Sequence, residues 1–224
     1  SEMCIRDRDA ASYLVSALLL SRIRSAEPRP QPSGRRVRTE IAEGLRYVLA
    51  HRLLRPIVLC TGTANLFGGM LDASLTLFLA RELGRPAAVV GLVLAASGVG
   101  ALLGAFTAGT WTRRFGQART IVAALAVTGP LVLLVPLAGA GPRLLLAALG
   151  LAAFGYGGVV YNVAQVSFRQ AVCPDGLLGR MNASVRFLVW GAMPIGGLLG
   201  GGLGELVGAR GTLLVAGIGT GLAP

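Results

Sequence analysis

The chain has 224 residues, of which 54% are hydrophobic and only 14% charged, with a mean hydropathy of +0.68. A soluble domain carries about 25% charged residues, so the composition excludes an ordinary soluble enzyme and indicates an all-α, polytopic membrane protein with room for roughly six spans. The net charge is +11 and every base is an arginine. Those arginines sit between apolar stretches, so they are read as topology signals at a membrane surface and not as a nucleic-acid interface.

Residues 1–8, SEMCIRDR, are charged and unlike the apolar run after them, and are read as a non-native leader. Residues 9–24 are apolar from Ala10 to Ile23 and close on Arg22 and Arg24. That apolar run is too short to span, so it is expected to be the end of a truncated transmembrane helix. Residues 25–55 form a basic cytoplasmic linker. Its first half holds Pro28, Pro30 and Pro32 among arginines, a composition that builds no core. Its second half places Ile41, Leu45, Val48 and Leu49 on one face of an amphipathic helix lying on the membrane surface.

From residue 56 onward the chain is a transmembrane bundle. Spans are expected at about 56–80, 86–110, 119–138, 143–168, 183–207 and 212–224, the last truncated. With the linker inside, the outer segments hold only Arg81, Arg85, Arg143 and Arg210, and the remaining arginines after the leader lie inside. Cys4, Cys60 and Cys173 form no CxxC pair, and His51 is the one histidine, so neither a metal site nor a cofactor is expected.

Two spans carry polar stripes. In the first, Thr61, Asn65, Asp72 and Thr76 fall on one side, with Gly68 and Gly69 beside them. In the fourth, Gly158, Asn162, Gln165 and Arg169 share a face, flanked by Tyr156 and Tyr161. Polar groups inside a bilayer turn toward other helices or a cavity. Asn162 and Gln165 therefore serve either interhelical hydrogen bonding or a substrate path. Asp72 lies about 24 Å from Pro56 along the helix, beyond the midplane. It is either a proton-coupling acid or an outer-gate or helix-pairing residue, and Asn65 is closer to the level of a substrate. In the fifth span Gly196, Gly200 and Gly204 make a small-residue ridge for close helix packing, or a surface that slides.

Two inner loops carry motifs. Gly109 to Arg119 reads GTWTRRFGQAR and resembles the loop signature G-x-L-x-D-R-x-G-R-R of the major facilitator superfamily, with Gly109, Arg114, Phe115 and Gly116 in register. The acid of that signature is replaced by Arg113. Arg169 to Arg186 resembles R-Q-x-x-x-P-x-x-L-x-G-R-x-x-A of the drug- and macrolide-efflux branch, through Arg169, Pro174, Gly179 and Arg180, with Asp175 placed to cap or pair with Arg180. The resemblance covers residues 9–224 and implies the C-terminal six-helix half of a twelve-helix transporter, its N-terminal half being absent. It further implies proton-driven export of small molecules such as drugs or macrolides, by alternating access, in the plasma membrane of a bacterium. The implied partners are the lipid bilayer, the other half of the same protein, a small-molecule substrate and a proton. Uptake by another branch and a non-transporting scaffold are the alternatives. An enzyme would need a convergent catalytic cluster, which one histidine and one mid-span acid do not supply.

Overall fold

A computed structural model describes residues 2–22, 37–174 and 178–223. Linker residues 25–36 and Asp175 lie outside the described residues. The chain divides into two units, Ser1–Arg35 and Arg36–Pro224. The first contains α1, Glu2–Ser21.

The regular elements of the second unit are all helices among the described residues. Its elements are α2 (Val37–Ala50), α3 (Leu54–Leu77, prolonged by a π-turn over Phe78–Glu82), α4 (Ala87–Phe115), α5 (Gln117–Thr128), α6 (Leu144–Val172) and α7 (Leu178–Gly221). Among the described residues, five helical stretches are long and apolar enough to cross a membrane: Leu54–Glu82, Ala87–Phe115, Gln117–Leu134, Gly141–Val172 and Leu178–Gly221. The α4–α5 turn is made at Gly116, whose φ of 82° belongs to the left-handed region that favours glycine. After α5 the pair Gly129–Pro130 interrupts the helix, because proline has no N–H to donate, and the chain continues as a 3₁₀ segment over Pro130–Leu134.

The long helix α7 is two helices in sequence. Gly208, at φ 76° and ψ 169°, is non-helical. Before it, Gly196 lies against the backbone of Leu66; after it, Gly219 lies against the ring of Phe67. Both arms thus reach the same level of α3, so the chain turns back on itself at Gly208. The turn is fastened at one end of the bundle. Glu82 Oε1 accepts the Arg210 backbone N–H at 3.2 Å, the Arg210 guanidinium donates to Ala138 O at 3.1 Å, and its Cζ lies 5.4 Å above the Phe78 ring. The buried side chains of Leu71, Phe78, Leu79, Val132, Val135, Leu151 and Leu213 form the core beneath it.

Glycines set the helix spacing, as expected where apolar lipid offers no hydrophobic drive to helix association. The backbone of α7 is pressed on α3 at Gly196, at Gly200, where a Cβ would lie 2.9 Å from Met70 Cα, and at Gly69 against Met193. The α4–α6 pair repeats the device with Gly100 on Ala152, Gly155 on Ser97, and Gly104, where a Cβ would lie 2.7 Å from Tyr156 O. Gly204 is no part of the α3 contact: a Cβ there would meet Thr212 Oγ1 at an ordinary 3.8 Å. Outward faces are apolar, as at Leu92, Leu102, Phe106, Leu198 and Leu206.

Replacing Gly196 by Leu should force α7 off α3 and destabilise the bundle by about 1–3 kcal/mol. Gly202→Ala, which meets nothing within 4 Å, should leave stability nearly unchanged. Thermal unfolding of the two full-length variants in detergent checks the contrast.

Candidate functional site

Helices α3, α5, α6 and α7 surround a cavity of about 670 Å³. It gathers side chains from both polar stripes: Thr61 and Asn65 from α3, and Tyr161, Asn162, Gln165 and Arg169 from α6. The two helices are joined inside it. The Tyr161 hydroxyl lies 2.5 Å from Thr61 Oγ1 and 3.2 Å from Ile57 O, and Thr61 donates to the same carbonyl at 2.6 Å. One turn on, Asn65 Nδ2 donates to Thr61 O at 2.9 Å. On α6, Gln165 Nε2 donates to Asn162 Oδ1 at 3.1 Å. The first pair locks backbone and hydroxyls together; the amides keep polar capacity turned to the cavity.

Asp72 is not among the residues lining this cavity. It is two turns beyond Asn65 on α3 and exposed. The α3 stripe therefore separates into a part inside the cavity and an acid on the open helix surface. Arg169, which the sequence puts both at the end of the α6 stripe and at the start of the cytoplasmic loop, is buried and lines the cavity from the last turn of α6. Asn182, Arg186 and Trp190 of α7 line it too. They recur every fourth residue, so the shared face was present in the sequence, hidden beside the more conspicuous glycine ridge.

The loop residues fall elsewhere. Arg113 NH2 donates to Thr110 Oγ1 at 3.3 Å, and Arg114 Cζ lies 5.7 Å from the Phe115 ring centroid; no acid pairs with either among the described residues. Gly109 precedes them by one helical turn. At the neighbouring end of the bundle, Arg180 NH1 pairs with Glu43 Oε2 at 3.3 Å, tying α2 to the start of α7. The approach is close because Gly44 stands there: a Cβ would lie 2.9 Å from Arg180 O. Val48, Leu54, Val58, Met181 and Val185 bury the same joint. Gly179, just before it, has open space around it.

Several spanning helices, packed backbone to backbone around a polar cavity and sheathed in apolar side chains, define a polytopic membrane protein built to keep polar chemistry inside a bilayer. The profile of the family described as transmembrane secretion effector matches residues 5–223. The chain belongs to that family, a branch of the major facilitator superfamily, and is a multi-pass protein of a bacterial inner membrane. Curated relatives include the "Enterobactin exporter EntS" of Escherichia coli O81 and that of Shigella boydii serotype 18, each 31% identical over 205 residues. Those alignments take in 88% of this chain and 46% of each relative, so the chain spans about half the length of the curated relatives it matches. No solved structure matches it significantly.

Tyr161→Phe should remove the hydroxyl joining α6 to α3 and cost about 1 kcal/mol. Its signature would be a lowered unfolding midpoint in the full-length protein, largely restored to wild-type behaviour when Thr61→Val removes the partner as well.

Proposed function

We propose that the chain is one half of a secondary active exporter that works by alternating access, its cavity forming one wall of the path for a small-molecule substrate. The observation that carries this is convergence: Thr61, Asn65, Tyr161, Asn162 and Gln165, from two polar stripes about a hundred residues apart, line one cavity in a chain whose family is described as secretion effectors. Binding sites of such transporters lie near the midplane between two rocking halves. The other half is supplied by the rest of a longer chain, in keeping with the length of the relatives. The cavity end beside α2 is cytoplasmic, because the arginine-rich segments gather there.

Drugs, macrolides and the cargo named for the relatives, enterobactin, are the candidate substrates, and a proton is the coupling ion. Asp72 is the acid for that coupling. An ionised carboxylate facing lipid is costly, so its exposed place on α3 is one that the partner half or an aqueous path covers. The Glu43–Arg180 pair, with Gly109, Arg113, Arg114, Gly116 and Gly179, forms the cytoplasmic hinge region that shifts as the halves rock.

Cells expressing the full-length gene should retain less of at least one compound in a panel of drugs and macrolides than cells lacking it. Unchanged retention across the panel contradicts export, and raised retention favours uptake. In proteoliposomes with an imposed pH gradient, Asp72→Asn should abolish gradient-driven transport while leaving counterflow exchange; undiminished gradient-driven transport removes the coupling role.

A further inference from the structure

The polar wall of the cavity is unevenly charged. Arg169 and Arg186 line it, and no Asp or Glu does among the described residues. Arg169 is 7% exposed, and its Nε has no hydrogen-bond partner. It makes no ion pair among the described residues. One turn earlier on the same face, Gln165 is 4% exposed and its Oε1 is likewise without a partner. Water can satisfy the amide, but it brings no counter-charge to the guanidinium. A cation withdrawn from water without one is expensive. Two unsatisfied polar groups, both more than nine-tenths buried and adjacent on one helix face, mark a place that something polar is meant to fill.

Helix α7 contributes one aromatic side chain, Trp190, to the lining. Trp190 leaves 65% of its surface open, and the Arg186 Cζ stands 5.9 Å from its ring centroid. Val185, Val189 and Met193 continue that side. The site therefore joins a cationic pole to an apolar, aromatic flank. A planar guanidinium seats a carboxylate through two parallel N–H donors, and an indole face accepts a flat ring. Basic or neutral solutes would leave Arg169 uncompensated.

We propose that the cavity is a site for aromatic organic acids, with Arg169 as counter-ion to the carboxylate, Arg186 as an outer cation that draws the acid in, and Trp190 as the surface on which the ring lies. This rests on the cavity being the substrate path, and it narrows the substrate to anions. An acid from the rest of the longer chain, paired permanently with Arg169, is the competing arrangement; it would abolish any preference for an anion.

The test is equilibrium binding of 1-naphthoate and of its uncharged isostere 1-naphthamide to the purified full-length protein in nanodiscs of neutral lipid. The carboxylate should bind about tenfold tighter, the scale of one charge-assisted hydrogen-bonded pair. Raising the salt should weaken naphthoate and leave naphthamide unchanged, a readout that needs no variant. Arg169→Gln should remove the preference, and Arg169→Lys should restore part of it. Equal affinities in the wild type, no binding of either probe, or a preference that survives Arg169→Gln would each overturn the assignment. Because the measurement is binding, it is separable from export. Naphthoate preference with no efflux of any compound would sink the exporter and leave the anion site standing, and efflux without the preference would do the reverse.

Discussion

A polar group within a bilayer finds its partner in the protein or in enclosed water, since the hydrocarbon offers none. Every spanning helix here is arranged around that constraint. Several threonines meet it locally by donating to a carbonyl one turn back: Thr107 to Leu103 O at 2.8 Å, Thr120 to Gly116 O at 2.8 Å, Thr128 to Ala124 O at 2.6 Å and Thr220 to Ala216 O at 2.8 Å. Asn65 does the same through Thr61 O. Side chains whose capacity exceeds what one helix can absorb, namely Asn162, Gln165 and Arg169, are turned to the cavity. The cavity is thus where the surplus polarity of the bundle is collected, and that surplus is what a solute would meet.

Holding such a cavity open requires the rest of the bundle to be closed tightly. The glycine contacts of α7 on α3 and of α4 on α6 bring backbones nearly into touch, which leaves dispersion to stabilise the pairs. The turn at Gly208 lets a single stretch of chain pack twice against α3, and Glu82 and Arg210 secure it. At the other end, Glu43 and Arg180 hold α2 to the start of α7. The bundle is therefore fastened at both ends, with its polar interior between them.

Much of this could be read from the sequence, for physical reasons. Long apolar runs bounded by arginine give helices that suit a bilayer, and the resemblance of the loops at Gly109–Arg119 and Arg169–Arg186 pointed to the family. The stripes at Thr61–Asn65 and Asn162–Gln165 were visible because the helical period is local information. What is not local was not legible. Nothing in the run of Gly196, Gly200 and Gly204 says that the first two meet α3 and the third faces Thr212. Periodicity put Asp72 with Asn65, but two helical turns separate them, and only the packing of α7 decides which part of the stripe is enclosed. Arg169 was recognisable as part of a motif but not as a buried cation, since burial depends on helices that lie far along the chain.

The proposed export route needs the polar cavity to be open to water inside the membrane. The measurement is solvent accessibility in the full-length protein, with all its native cysteines, Cys60 and Cys173 among them, first replaced by Ala and single cysteines placed at Asn65, Asn162 and Leu102. A membrane-impermeant maleimide applied to inside-out vesicles should label the cysteines at Asn65 and Asn162 and spare the one at Leu102, which is 62% exposed on the apolar outer face of α4. Cysteines at Asn65 and Asn162 that label no faster than the one at Leu102 would mean a cavity closed to water and no such route.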